Sequence, residues 1–212
     1  MSVRVKICGI TNENDLKFIS MLDVDFIGFN LVKGTKRAIS EANLVKLSKM
    51  LPSYIVPVCV VMNCSINDVK RIRKKTGINH FQFHGNEDPD FLKKAKEFDI
   101  KIIKVFRPRT VEEVESAKNF LQVCDYFLVD AYDENLPGGT GLRVDIEIAK
   151  KFKEFEKPFF LAGGLTPENV REVIKEVEPF AVDVASGVEK TPRTKDIDKV
   201  RAFISAAKKL TR

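Results

Sequence analysis

The 212-residue chain has no tryptophan and only two histidines. It has no apolar run long enough to span a bilayer, which excludes a membrane-spanning helix and leaves no membrane partner to expect. Met1 leads directly into a strand-like segment without the apolar core of a signal peptide, so a cytoplasmic location is expected. The four cysteines, Cys8, Cys59, Cys64 and Cys124, include no Cys-x-x-Cys pair, which argues against a zinc site, any other metal centre or a disulfide framework. No Gly-x-Gly-x-x-Gly follows the first strand, so a dinucleotide-binding fold lacks its fingerprint. Linker-like and low-complexity tracts are also missing, and one domain over residues 1–212 is expected.

Apolar residues make up 44% of the chain and charged residues 31%, enough for a large core under a salted surface. The net charge of +6 and a pI near 9.1 would suit a nucleic-acid or anionic partner. The lysines, however, are scattered along helical segments and interleaved with glutamates. That is the pattern of a solvated surface, and no nucleic-acid partner is expected.

Short apolar runs alternate with amphipathic segments in eight rounds. The strand candidates are Val3 to Cys8, Phe26 to Leu31, Ile55 to Met62, His80 to His84, Ile102 to Phe106, Tyr126 to Ala131, Pro158 to Ala162 and Phe180 to Ala185. Helix starts follow at Thr11-Asn12, Ser40, Ser65 with a capping-box pattern, Asp88-Pro89, Thr110, Asp145, Thr166-Pro167 and Lys195-Asp196. Pro167 suits a first helical position, where its missing N–H has no intrahelical partner. Strands alternating with helices pair in parallel, and eight rounds in this length predict an α/β fold of the (βα)8 TIM-barrel type.

The first strand fixes the polarity of the barrel. Val3, Val5 and Ile7 form an apolar face for covering helices, while Arg4, Lys6 and Cys8 point inward, with Cys8 at the C-terminal mouth. His80, Gln82 and His84 share the inward face of strand four; Asp130 closes strand six and Asp183 lies within strand eight. Alone, Cys8 reads as a small buried hydrophobe, His84 as a hydrogen-bonded rim residue and Asp130 as a loop anchor. A thiol and an acid both at C-terminal strand ends, where barrels gather their functional loops, instead point to chemistry. Lys6, one step deeper than Cys8, would favour its thiolate. Cys59, Cys64 and Cys124 lack such company and read as structural thiols. Glycine-rich turns follow strands six to eight. Gly163-Gly164 and Ser186-Gly187 suit a phosphate cradle of backbone N–H groups, and Gly138-Gly139-Thr140-Gly141 suits a flexible flap.

Five segments then carry a resemblance: Lys6 to Thr11, Gln82 to Gly85, Asp130 with Gly138 to Gly141, Leu161 to Leu165, and Asp183 to Glu189. Together they resemble the phosphoribosylanthranilate isomerase family of tryptophan biosynthesis along essentially the whole chain. The resemblance implies an Amadori rearrangement of N-(5-phospho-β-D-ribosyl)anthranilate that needs no cofactor and no metal. It also implies Asp130 as the general acid at the ring oxygen, Cys8 as the general base at C2, and Arg37 as the holder of the anthranilate carboxylate. His84 and Asp183 are expected to contact substrate, and Gly163, Gly164, Ser186 and Gly187 its phosphate. Asp130 would have to stay protonated, with help from neighbouring carboxylates. A homodimer is a possible assembly.

The chain departs from the family pattern at Pro192-Arg193-Thr194, at Ala185 and at Arg143-Val144-Asp145. Indole-glycerol-phosphate synthase is the nearest alternative enzyme, but it depends on a lysine-glutamate constellation where this chain offers Cys8. A bifunctional isomerase acting also on the analogous histidine-pathway intermediate is a further alternative, but that reaction is usually associated with paired aspartates at the ends of strands one and five, where this chain has Cys8 and no aspartate. A non-catalytic phosphate-binding barrel would leave the Cys8 and Asp130 coincidence without a reason.

Overall fold

The computed structural model describes residues 3–130 and 145–208. Eight parallel strands close into a barrel in sequence order: β1 (Arg4–Cys8), β2 (Phe26–Asn30), β3 (Val56–Val61), β4 (His80–Phe83), β5 (Lys101–Phe106), β6 (Tyr126–Asp130), β7 (Phe159–Ala162) and β8 (Ala181–Val184). The sheet closes where β1 pairs with β8, Lys6 opposite Asp183. Every strand lies within the segment expected from the sequence, apart from Lys101, one residue ahead of Ile102.

The covering helices are α1 (Glu13–Ile19), α2 (Glu41–Ser48), α3 (Ile66–Thr76), α4 (Pro89–Lys96), α5 (Val111–Val114), α6 (Ile146–Lys151), α7 (Val170–Val177) and α8 (Ile197–Lys208). Side chains of Asn12, Ser40, Ser65, Asp88 and Asp145 accept the N–H groups that each first turn leaves free. Ser65 and Asp68 complete a reciprocal capping box.

Two local expectations need correction. α7 begins at Val170, so Pro167 sits in a turn before it. The Asn169 carboxamide holds that turn, accepting from the Thr166 N–H at 2.8 Å and donating to the Gly164 carbonyl at 2.9 Å. Further on, a hairpin of β9 (Glu189–Thr191) and β10 (Thr194–Lys195) lies between β8 and α8, where only a loop was expected.

The period-two alternation separates two apolar regions. Outward residues such as Val5, Ile7, Ile27, Phe29, Phe81 and Phe127 join the helix faces in the larger core. Inside the barrel, Phe26, Val58, Ile103, Leu128 and Phe160 form a smaller one. Aromatic edges fill its floor: Phe26 meets Phe160 at 5.1 Å between ring centroids, and Tyr126 meets Phe180 at 5.3 Å. His80 also packs here, near Phe26 and Tyr126, at the N-terminal end of its strand.

Lys6 is fully buried in this interior. Its Nζ donates to Gln82 Oε1 and Asp183 Oδ2, each at 2.9 Å. Burial opposes the Lys6 charge, but Asp183 and Cys8 outweigh it and hold the ammonium above its usual range. Removing one partner would strand the other charge in an apolar enclosure. Lys6→Met is expected to lower stability by about 3–5 kcal/mol, and adding Asp183→Leu to restore much of it; urea unfolding of the parent, single and double variants measures both.

Candidate active site

At the C-terminal mouth the barrel opens into a cavity of about 870 Å³, lined among others by Cys8, Arg37, His84, Arg107, Asp130 and Asp183. Cys8 ends β1 facing Gly28 on β2. A Cβ at Gly28 would lie 2.7 Å from Cys8 Sγ, so the thiol occupies space that any side chain there would take. Gly9, at φ +80°, turns the chain sharply, and Arg37 packs where a Gly9 side chain would stand. Arg37 then meets Glu189 through two hydrogen bonds, Nε to Oε1 at 2.7 Å and Nη2 to Oε2 at 2.6 Å. Its side edge is thereby used, and among the described residues no partner is seen for Nη1, which leaves the end of the fork for another anion. Burial works against the Glu189 charge, but Arg37 and Lys195 overcome it and keep the carboxyl below its usual range.

Burial is the largest influence on Cys8 and pushes its thiol above 9.0; Lys6 and Lys195 pull the other way and Asp183 adds to the rise. The expected assistance from Lys6 is therefore present but outweighed. Burial also raises Cys64 to about 11 and Cys124 to about 12, and drives Cys59 higher still. These three thiols lie outside the cavity lining, in keeping with structural roles.

Across the mouth, Asp130 ends β6 and accepts from Arg107 Nε at 3.2 Å. The same guanidinium contacts His84 Nε2 through its Nη2. Arg107 is thus the direct partner of Asp130, and Asp183 is a neighbouring carboxylate that feels its charge. Burial, followed by the charges of Arg107, Lys6 and Lys104, pushes His84 down to about 4, so its ring is neutral near pH 7. With Arg107 donating, the proton of that ring belongs on Nδ1. The loop behind His84 is braced by a buried pair: Lys104 donates to the Gly85 carbonyl at 2.6 Å and to Glu87 Oε2 at 3.3 Å, while Glu87 also accepts the Gly85 and Asn63 N–H groups. Asp183 Oδ1 is buried without a hydrogen-bond partner among the described residues. No cluster of metal-binding side chains occurs among them.

Residues 5–206 match the family described as N-(5'phosphoribosyl)anthranilate (PRA) isomerase. The chain belongs to this family. It is 39% identical to the N-(5'-phosphoribosyl)anthranilate isomerase of Petrotoga mobilis over 95% of each chain. It also resembles a solved phosphoribosyl anthranilate isomerase in complex with reduced 1-(o-carboxyphenylamino)-1-deoxyribulose 5-phosphate, with a TM-score of 0.87 and 34% identity over 98% of this chain and 100% of that one. A third relative is the dimeric isomerase of Thermotoga maritima, solved as generated monomers, with a TM-score of 0.85 and 34% identity over the same shares.

The glycine turns expected to serve this isomerase fold sit on the β7–β8 side of the mouth. Gly163 and Gly164 both adopt left-handed backbone, at φ +95° and +61°, and Gly163 and Ser186 line the cavity. Gly187 packs too closely on the Leu165 carbonyl to admit a side chain. Gly138, Gly139, Thr140 and Gly141 lie outside the described residues. Sequence reasoning missed Arg107, Glu189 and Lys195. Arg107 directly follows β5, a position that itself signals the mouth, whereas Glu189 and Lys195 lie in the unexpected hairpin.

Gly28→Ala would drive a methyl group into the Cys8 sulfur while leaving the mouth's charged groups in place. A fall of about a hundredfold in isomerase turnover is expected, with a stability loss of about 1–3 kcal/mol in a folded protein; steady-state kinetics and thermal melting check the two.

Proposed function

We infer that this chain is an isomerase of tryptophan biosynthesis, converting N-(5-phospho-β-D-ribosyl)anthranilate into 1-(2-carboxyphenylamino)-1-deoxy-D-ribulose 5-phosphate. In this reading Asp130 is the general acid that delivers a proton to the furanose oxygen. The C1–O bond breaks as the anthranilate nitrogen's lone pair forms the C1=N bond. The Cys8 thiolate then removes the C2 proton; the C2–H electron pair forms C1=C2 and the C=N electrons return to nitrogen. The resulting enol becomes the ketose when C1 takes up a proton, the C1=C2 electrons move onto C1, and the C2 hydroxyl releases its proton to solvent as C2=O forms. The observation that carries these roles is that Cys8 and Asp130 line one cavity, at the ends of β1 and β6.

The remaining cavity residues take binding roles. The free end of the Arg37 fork receives the anthranilate carboxylate. Asp183 Oδ1, without a partner among the described residues, accepts a ribose hydroxyl, since a buried acceptor left alone is costly. His84, a neutral ring bonded to Arg107, contacts the substrate from β4. Gly163, Gly164, Ser186 and Gly187 hold the phosphate, supported by the two left-handed glycines at this turn. The reading assigns all of this to one catalytic barrel across residues 1–212.

The fluorescence change on adding freshly made phosphoribosylanthranilate tests the assignment. The parent protein is expected to turn over, with Cys8→Ala and Asp130→Asn each reducing kcat by at least about a hundredfold. Retained turnover in either variant would remove that residue from its role.

A homodimer and a cytoplasmic setting complete the reading. The Thermotoga maritima relative is described as dimeric, and Met21 and Tyr54 are exposed at 73% and 69% on loops leading into β2 and β3. Four free cysteines suit a reducing compartment. Sedimentation at micromolar concentration should give twice the chain mass, and Tyr54→Asp together with Met21→Lys should give monomers.

A further inference from the structure

The β9–β10 hairpin stands outside the eight strand-helix rounds, yet its Lys195 reaches the mouth beside the seam between β1 and β8. The residue is 4% exposed. Its Nζ donates to the Cys8 carbonyl at 2.7 Å, the Ala185 carbonyl at 2.9 Å and Glu189 Oε1 at 3.3 Å. Three acceptors match the three N–H donors of an ammonium, where a neutral amine has only two. Burial holds the Lys195 ammonium below its usual range, although Glu189 and Cys8 support the charge. Glu189 carries the connection onward by gripping Arg37 with both oxygens.

We propose that Lys195 is a positioning residue for the isomerisation: one buried ammonium fixes the backbone of Cys8 and, through Glu189, the guanidinium of Arg37. The inference rests on the reading of Cys8 as base and Arg37 as carboxylate holder. Proton removal at C2 needs the sulfur at a set distance from a substrate anchored by its carboxylate. Lys195 ties both ends of that distance to a single point. The hairpin is itself anchored, with the Lys195 N–H bonded to Asp15 Oδ2 at 2.9 Å, Thr11 Oγ1 to the Arg193 carbonyl at 2.8 Å, and Arg193 Nη1 to the Ala38 carbonyl at 3.1 Å. It therefore bridges the loops that follow β1 and β2.

The arrangement also has an electrostatic side. The charged groups facing Cys8 are Lys6 from its own strand, Asp183 from β8, Lys195 from β10 and Arg37 from the loop after β2. Lys6 is already engaged by Asp183. Lys195 is the further cation whose removal takes support from the thiolate.

The test is Lys195→Met in the full chain, with pH-dependent iodoacetamide alkylation at Cys8 read by peptide mass spectrometry beside kcat and KM. The alkylation midpoint should rise by roughly one pH unit. The kcat should fall about tenfold and KM should increase. Glu189→Gln keeps Lys195 and cuts its ionic link to Arg37, so KM should rise while the alkylation midpoint stays within about half a pH unit of the parent. A folded Lys195→Met with parental midpoint and KM overturns the proposal, whatever happens to kcat. If Lys195→Met does not fold, Glu189→Gln decides: a raised KM supports the proposal and a parental KM overturns it. Failure of the underlying reading shows separately, as retained turnover in Cys8→Ala, because alkylation requires no substrate.

Discussion

Closing eight strands on themselves creates an interior that meets water at its mouth, and the rest of this structure depends on how the charges inside it are satisfied. Lys6 lies too deep to be solvated. Its pairing with Asp183 across the β1–β8 seam, with Gln82 as a further acceptor, joins the first, fourth and last strands at one point. The aromatic floor excludes water on one side of this tier, and the cavity opens on the other. An ion pair in such an enclosure attracts strongly because little solvent screens it, and either member alone would be expensive to bury.

That enclosure governs the chemistry of the mouth. Desolvation raises Cys8 while two lysines resist it, so the thiol's proton affinity is set by a contest between burial and charge. On the opposite wall, Asp130 is joined by Arg107, which also holds the neutral His84. Cys8 thus faces Lys6, Lys195 and Asp183 on one wall, while Asp130 faces Arg107 on the other.

The route from sequence to structure was most direct for the barrel strands. A β-strand exposes alternate residues to different environments, and the apolar parity of Val5 and Ile7 against the polar parity of Lys6 and Cys8 records this in the primary structure. Helix starts at Ser40, Ser65 and Asp88 were equally legible, because a cap acts within one turn. Pro167 misled for the same reason that capping usually works: its backbone suits a helix start, but Asn169 bonds to Gly164 and Thr166 and delays the helix by one turn. The β9–β10 hairpin left little trace, since its strands of three and two residues are too short for any periodicity.

By itself the sequence determined the order of strands and helices, which strand faces turn inward, and that a thiol and an acid end β1 and β6. These follow from local periodicity and from side-chain chemistry, both carried by neighbouring residues. Only the tertiary structure decided the partners: Lys6 with Asp183, Arg37 with Glu189, Asp130 with Arg107, and Lys195 with the Cys8 carbonyl. Those contacts span from 23 to 187 positions along the chain. The physical reason is that charge pairing acts through space, and barrel closure, rather than neighbourhood in the chain, sets which charges share a space.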